Sequence, residues 1–181
     1  MPEKLHVMID IETLGIENCP IIQIAACKFD WTGKIYSTFS KCLDFRQQID
    51  LGLKVDKGTL AWWQSDKARS AIFHSILNQA EEVESVLKAF AKYVAGYERI
   101  WSSANFDIPL ITSLYKKLKL PVPWQYWKCY DVRTIAYLGN VNPKDDKYAN
   151  MNTHSALDDC KFQVAYITDA YSNIKEEIIC K

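Results

Sequence analysis

The stretch from Leu5 to Gly15 constrains this chain more than any other. Val7, Ile9 and Ile11 alternate with Met8, Asp10 and Glu12, the period of an extended strand. Asp10 and Glu12 are two apart, so they project from one face of it. Two adjacent carboxylates repel each other, and at the end of an apolar strand they cost stability unless a cation lies between them. Hard divalent ions such as Mg2+ and Mn2+ are the natural partners of such a pair. An isolated Asp-x-Glu is more often two solvated acids at a strand end, so the rest of the chain has to decide.

With 181 residues, 49% of them hydrophobic, the chain can bury a real core, and one domain over residues 1–181 is expected. Lys plus Arg and Asp plus Glu number 22 each, which argues against a broad basic face for duplex nucleic acid. Any polyanion must be held locally, by metals, aromatic rings and a few cations. The six cysteines form no Cys-x-x-Cys pair and no zinc spacing. Residues 1–4 lead straight into the first strand with no signal peptide, and no apolar run is long enough for a membrane span. A cytoplasmic protein with reduced thiols and no membrane association is expected.

A turn at Asn18-Cys19-Pro20 leads to a buried strand over residues 20–29, and Trp31-Thr32-Gly33-Lys34 turns it into an antiparallel partner over 35–43. Residues 44–56 show little periodicity and read as loop. Short helices are predicted over 59–64 and 68–75. Residues 78–96 carry the clearest helical pattern, with Asn78 and Glu81 spaced as a capping box and Val83, Val86, Leu87, Phe90 and Val94 as one apolar stripe. A strand over 98–103, helices over 106–118 and 130–138, a polar loop over 139–152 and a last helix over 155–178 follow. Strands first and then helices alternating with short strands favour a mixed sheet with helices packed on it.

Three later stretches carry acids in awkward places. Asp107 follows a strand and opens a helix. Asp158 and Asp159 open the last helix, just after His154. Asp131 lies beside Arg133 and could cap a helix. Singly, each is explained by the helix dipole or by capping. Together with Asp10 and Glu12 they resemble the DnaQ-like, or DEDDh, 3'–5' exonuclease superfamily. Asp10-Ile11-Glu12-Thr13 matches the first motif, Asn105-Phe106-Asp107 the core of the second, and His154-Ser155-Ala156-Leu157-Asp158-Asp159 the third, His-x-Ala-x-x-Asp. Their order and spacing agree across nearly the whole chain. Ser102 stands where many members carry an Asn. Thr59-Leu60-Ala61-Trp62-Trp63 and Asp131-Val132-Arg133-Thr134 look like a small phage and bacterial branch of exodeoxyribonuclease A-like proteins and 3'–5' exoribonucleases.

The resemblance implies a ribonuclease H-like α/β fold, a mixed sheet of about five strands with helices on both faces. It implies two divalent ions, Mg2+ or Mn2+, with Asp10 between them, Glu12 and Asp159 on one and Asp107 on the other, and His154 as general base. Two ions ~3.5–4 Å apart activate the water, screen the phosphate and stabilise the leaving oxygen. Substrate contacts are expected from Thr13, Leu14, Trp62, Trp63, Asn105 and Phe106. Neighbouring helical residues are ~100° apart around the axis, so one of the two tryptophans is expected in the core and the other at the cleft rim. His6 and His74 take structural roles. The expected partners are 3' ends of single-stranded DNA or RNA, the choice resting on contacts to the 2'-OH. The oligomeric state stays open between a monomer and a homodimer. The rival from another class is a non-catalytic nucleic-acid-binding domain of the same fold, and a retained cluster of repelling acids argues against it.

Overall fold

A computed structural model describes residues 5–97, 99–148 and 154–179. β1 (His6–Thr13) and β2 (Ile21–Phe29) pair antiparallel, with Asp10 opposite Ala25 and Glu12 opposite Gln23. β3 (Ile35–Leu43) completes the hairpin with β2. Its turn is fixed by Asp30, whose Oδ1 accepts from the Thr32 amide at 2.8 Å, and by Gly33, whose φ of +82° an L side chain would resist. β4 (Ala80–Glu81), β5 (Ile100–Ser102) and β6 (Cys129–Asp131) extend the sheet to six strands in the order β4-β3-β2-β1-β5-β6. β2 lies in the interior of that order and is buried on both faces, which explains its unbroken apolar run.

The period of two in β1 sorts the core. Val7, Ile9 and Ile11 pack with α4 (Val83–Val94) and α5 (Asp107–Lys117) on one face. Met8 packs with α6 (Val132–Leu138) and α7 (Ala156–Ile179) on the other. Asp10 and Glu12 share the phase of Met8 and therefore face α7. A third cluster joins Leu14 and Ile22 to Trp63 of α2 (Lys57–Gln64) and to Phe73 and Ile76 of α3 (Lys67–Asn78). The expected mixed sheet with helices on both faces is present. Gly139 lets α6 end against α7: a Cβ there would lie 2.4 Å from the Ala170 carbonyl oxygen.

The structure corrects three local expectations. The sheet, expected with about five strands, has six among the described residues, because the two- and three-residue edges β4 and β6 are set by their partners and not by local pattern. The helix expected from residue 78 begins at Val83: Asn78 ends α3, and Glu81 lies in β4 with its carboxylate on Lys41 at 2.8 Å instead of closing a capping box. Residues 44–56 are not all loop. α1 (Phe45–Asp50), capped by Asp44, turns inward a fully buried Gln48, whose amide donates to the Ile21 carbonyl at 2.6 Å and accepts from the Ile21 N–H at 2.9 Å. The helix expected over 130–138 starts at Val132, with Asp131 as its N-cap accepting from the Thr134 amide at 2.9 Å. The polar loop after α6 holds one 3-10 turn, Asp146–Tyr148, and its residues 149–152 lie outside the described residues.

Candidate active site

Three elements deliver the acids. β1 supplies Asp10 and Glu12, the first turn of α7 supplies Asp159, and the first turn of α5 supplies Asp107. Asp10, Glu12 and Asp159 each bring one carboxylate oxygen, all within 4.8 Å of one another. Asp107 is 2% exposed and fixed by its own loop: its Oδ2 accepts from the Ser103 N–H at 2.8 Å. The α7 start is fixed from the sheet, because Gln23 Oε1 accepts from the Ala156 N–H at 2.9 Å. Gln163, one turn beyond Asp159, donates from Nε2 to Asp10 Oδ1 at 2.6 Å.

The acids strain against one another. Burial, then Asp107, Glu12 and Asp159, hold the Asp10 carboxyl well above the usual carboxylate range. Burial, then Asp159 and Asp107, push Glu12 up to about 8. Asp107 is raised to about 7, chiefly by burial and against the pull of the Ser103 N–H and Arg133. A pocket that makes carboxylates hold protons near neutral pH is electrostatically unfinished, and divalent cations would complete it. The oxygen donor set and its spacing fit hard cations.

His154 stands at the entry to α7 with φ +56°, a left-handed conformation rare outside glycine. Its ring meets Trp62 edge-on, centroids 4.9 Å apart and planes at 87°. Trp62 is 39% exposed, and the Arg69 guanidinium lies 4.0 Å above its ring. Burial, and then Arg69, lower the His154 pKa below its ordinary value. Trp63, by contrast, is 1% exposed, and its indole N–H donates to the Thr13 carbonyl at 3.0 Å. The two tryptophans thus divide between surface and core.

The remaining candidates scatter. Leu14 is in the core with Trp63, and Thr13 spends its hydroxyl on the Gly15 carbonyl at 2.6 Å. Asn105 is exposed and Phe106 half-buried at the mouth of α5. His6 is buried and accepts from the Trp101 indole at 2.9 Å, which keeps it a structural group. His74 is exposed on α3, and Asp158 pairs with Lys161 at 2.8 Å. Asp131 also steadies the second motif's loop, its Oδ2 accepting from the Ala104 N–H at 3.1 Å. Gln163, Gln23 and Arg69 escaped the sequence reading. Only Gln163 had a signal, a polar side chain four residues after Asp159 on a helix face otherwise given to Cys160, Val164 and Ile167.

Residues 5–171 match the model of the Rv2179c-like 3'-5' exoribonuclease domain family. The chain belongs to that family. One curated relative of this Rv2179c-like domain is a PolC-type DNA polymerase III from Caldanaerobacter subterraneus subsp. tengcongensis, 29% identical over 167 residues, covering 88% of the chain and 11% of the relative. Among solved structures, E. coli exonuclease I in complex with a dA16 oligonucleotide superposes with a TM-score of 0.68 at 11% identity, over 96% of this chain and 42% of that one. The Mg2+- and Mn2+-bound form of S. pombe Pop2p superposes with a TM-score of 0.64 at 15% identity, over 92% of this chain and 82% of that one. At these identities the structures establish the ribonuclease H-like exonuclease fold, and the Rv2179c-like domain spans only part of the polymerase and of exonuclease I. No helix among the described residues is long and apolar enough to cross a membrane.

Proposed function

We propose that the protein is a metal-dependent 3'–5' exonuclease that removes nucleoside monophosphates from single-stranded 3' ends. The observation that carries this is the convergence of Asp10, Glu12 and Asp159 within 4.8 Å in a chain of the Rv2179c-like family. Two divalent ions, Mg2+ or Mn2+, bound there would activate the attacking water, screen the phosphate and stabilise the leaving oxygen. Asp10 would face both ions, Glu12 and Asp159 one, and Asp107 the other. Four carboxylates and two such ions balance in charge. His154 takes the proton from the attacking water, and its lowered pKa keeps the imidazole neutral and able to do so near pH 7. Cleavage of the terminal phosphodiester leaves a nucleoside monophosphate and a shortened strand. The family favours RNA as substrate, and exonuclease I, crystallised with dA16, is the reason to keep DNA beside it.

The free, buried thiols of Cys19, Cys27, Cys42 and Cys160 support a cytoplasmic site of action. A homodimer has its best support in the exposed Trp127, Tyr137 and Leu138 beside the β6–α6 edge.

Direction and product test the proposal. A 5'-labelled single strand with a 3'-hydroxyl should shorten one nucleotide at a time, and a 3'-phosphate should block it. Cutting of a circular single strand at a comparable rate would contradict the exonuclease reading.

The tryptophans give a second check. Trp62, exposed beside His154, is the proposed stacking platform for a terminal base, where stacking is worth ~1–3 kcal/mol. Trp62→Ala should leave the melting temperature nearly unchanged and raise KM by ~5–150-fold. Trp63→Ala should instead cost ~3–5 kcal/mol of stability, measured by chemical denaturation. Loss of stability in both with KM unchanged in the folded fraction would remove the stacking role.

A further inference from the structure

Gln163 is poorly explained as a core residue. It is 7% exposed on α7, and its Nε2 is bonded to Asp10 while its Oε1 is buried with no hydrogen-bond partner among the described residues. A Leu or Met would fill the same space without stranding a polar atom. The amide also has no other anchor among the described bonds, so the contact to Asp10 is what fixes it. The amide nitrogen faces Asp10, whose Oδ1 accepts from it. At 2.6 Å this is a short bond, and it would become charge-assisted once bound cations ionise Asp10.

Asp10 needs such a partner. Glu12 and Asp159 each bring a carboxylate oxygen within 4.8 Å of its own, and mutual repulsion favours turning its carboxylate away from the cluster. A donor on Oδ1 fixes the plane of the group and leaves its other lone pairs for cations. An amide does this without adding charge. A lysine there would compete with the ions, and a glutamate would add a fifth repelling acid. Gln163 and Asp159 are one helical turn apart, so the same face of α7 carries one proposed ligand and the group that orients another.

We propose, resting on the metal-dependent reading above, that Gln163 is the positioning residue of the acid cluster, holding Asp10 in the orientation that receives cations and coupling α7 to β1. The test compares Gln163→Met, which keeps the volume and loses the donor, and Gln163→Asn, which keeps the amide and shortens its reach, with the unaltered protein. Mn2+ binding is titrated by electron paramagnetic resonance without nucleic acid, and kcat and KM are measured separately. Both variants should fold, bind Mn2+ ~10–100-fold more weakly, and lose kcat at limiting Mn2+ with KM for the oligonucleotide unchanged. Wild-type Mn2+ affinity in either folded variant overturns the proposal. So does failure of both to fold even at saturating Mn2+, which would make Gln163 a packing residue. Absence of Mn2+ binding by the unaltered protein would instead overturn the metal-dependent reading itself.

Discussion

Asp10→Asn is expected to reduce turnover by ~10³-fold or more while making the ion-free protein harder to unfold. The loss follows from several kcal/mol of charge stabilisation at the phosphate, at a factor of ten for each ~1.4 kcal/mol. The gain follows from the burial of the acids and, after it, from their mutual repulsion. Glu12 holds its proton up to about pH 8 and Asp107 up to about pH 7 in the folded chain, whereas unfolded carboxyls release theirs near pH ~4. Between those limits the folded state binds more protons at these groups, so the cluster's contribution to ion-free stability is greatest below pH ~4 and falls as pH rises toward 8. Asp10 is itself held well above the usual carboxylate range, by burial and then by Asp107, Glu12 and Asp159, so an amide there removes its own share of that loss, and the variant should melt higher by ~2–4 °C for each kcal/mol relieved. The difference should be largest near pH 8 and smallest in acid. Calorimetry in EDTA at several pH values measures the stability, and a single-turnover assay with Mg2+ measures the chemistry. A variant that keeps turnover, or that melts lower at every pH, would remove Asp10 from the centre of the cluster.

His154→Ala is expected to lower turnover by ~10²–10⁴-fold with metal binding intact, the loss typical of a missing general base. Burial and Arg69 depress the His154 pKa, so in the unaltered protein the rate should rise with pH through a pKa below the ordinary histidine value. The carboxylates impose their own pH dependence, because cations compete with protons for Asp10, Glu12 and Asp159. The two are separable. The carboxylate arm should move to lower pH as Mg2+ is raised, and the His154 arm should stay. Near-normal turnover of His154→Ala with an unchanged profile would return His154 to a helix-entry role.

The outline of the candidate site was legible because it is written in local periods. Asp10 and Glu12 share a strand face, Asp107 opens a helix, and the separation of Trp62 from Trp63 follows from the pitch of one short helix. What stayed illegible depends on distant partners. α1 was hidden because its inward residue is Gln48, a polar side chain satisfied by the backbone of β2. Asn78 and Glu81 had the spacing of a capping box, but pairing of β4 with β3 and the ion pair to Lys41 won. Gln163 lies far along the chain from Asp10, and Arg69 gains its meaning only where α3 folds it over the Trp62 ring. Such contacts belong to the assembled fold, and only Gln163, polar on an otherwise apolar helix face, leaves a local trace.

The central claim is that this acid cluster works by holding divalent cations at a 3' end. The most direct measurement incubates the purified protein with 5'-labelled single-stranded RNA and, separately, DNA, in Mg2+, in Mn2+ and in excess EDTA. Stepwise shortening from the 3' end should appear with either ion and vanish in EDTA. Full activity in excess EDTA would contradict the account.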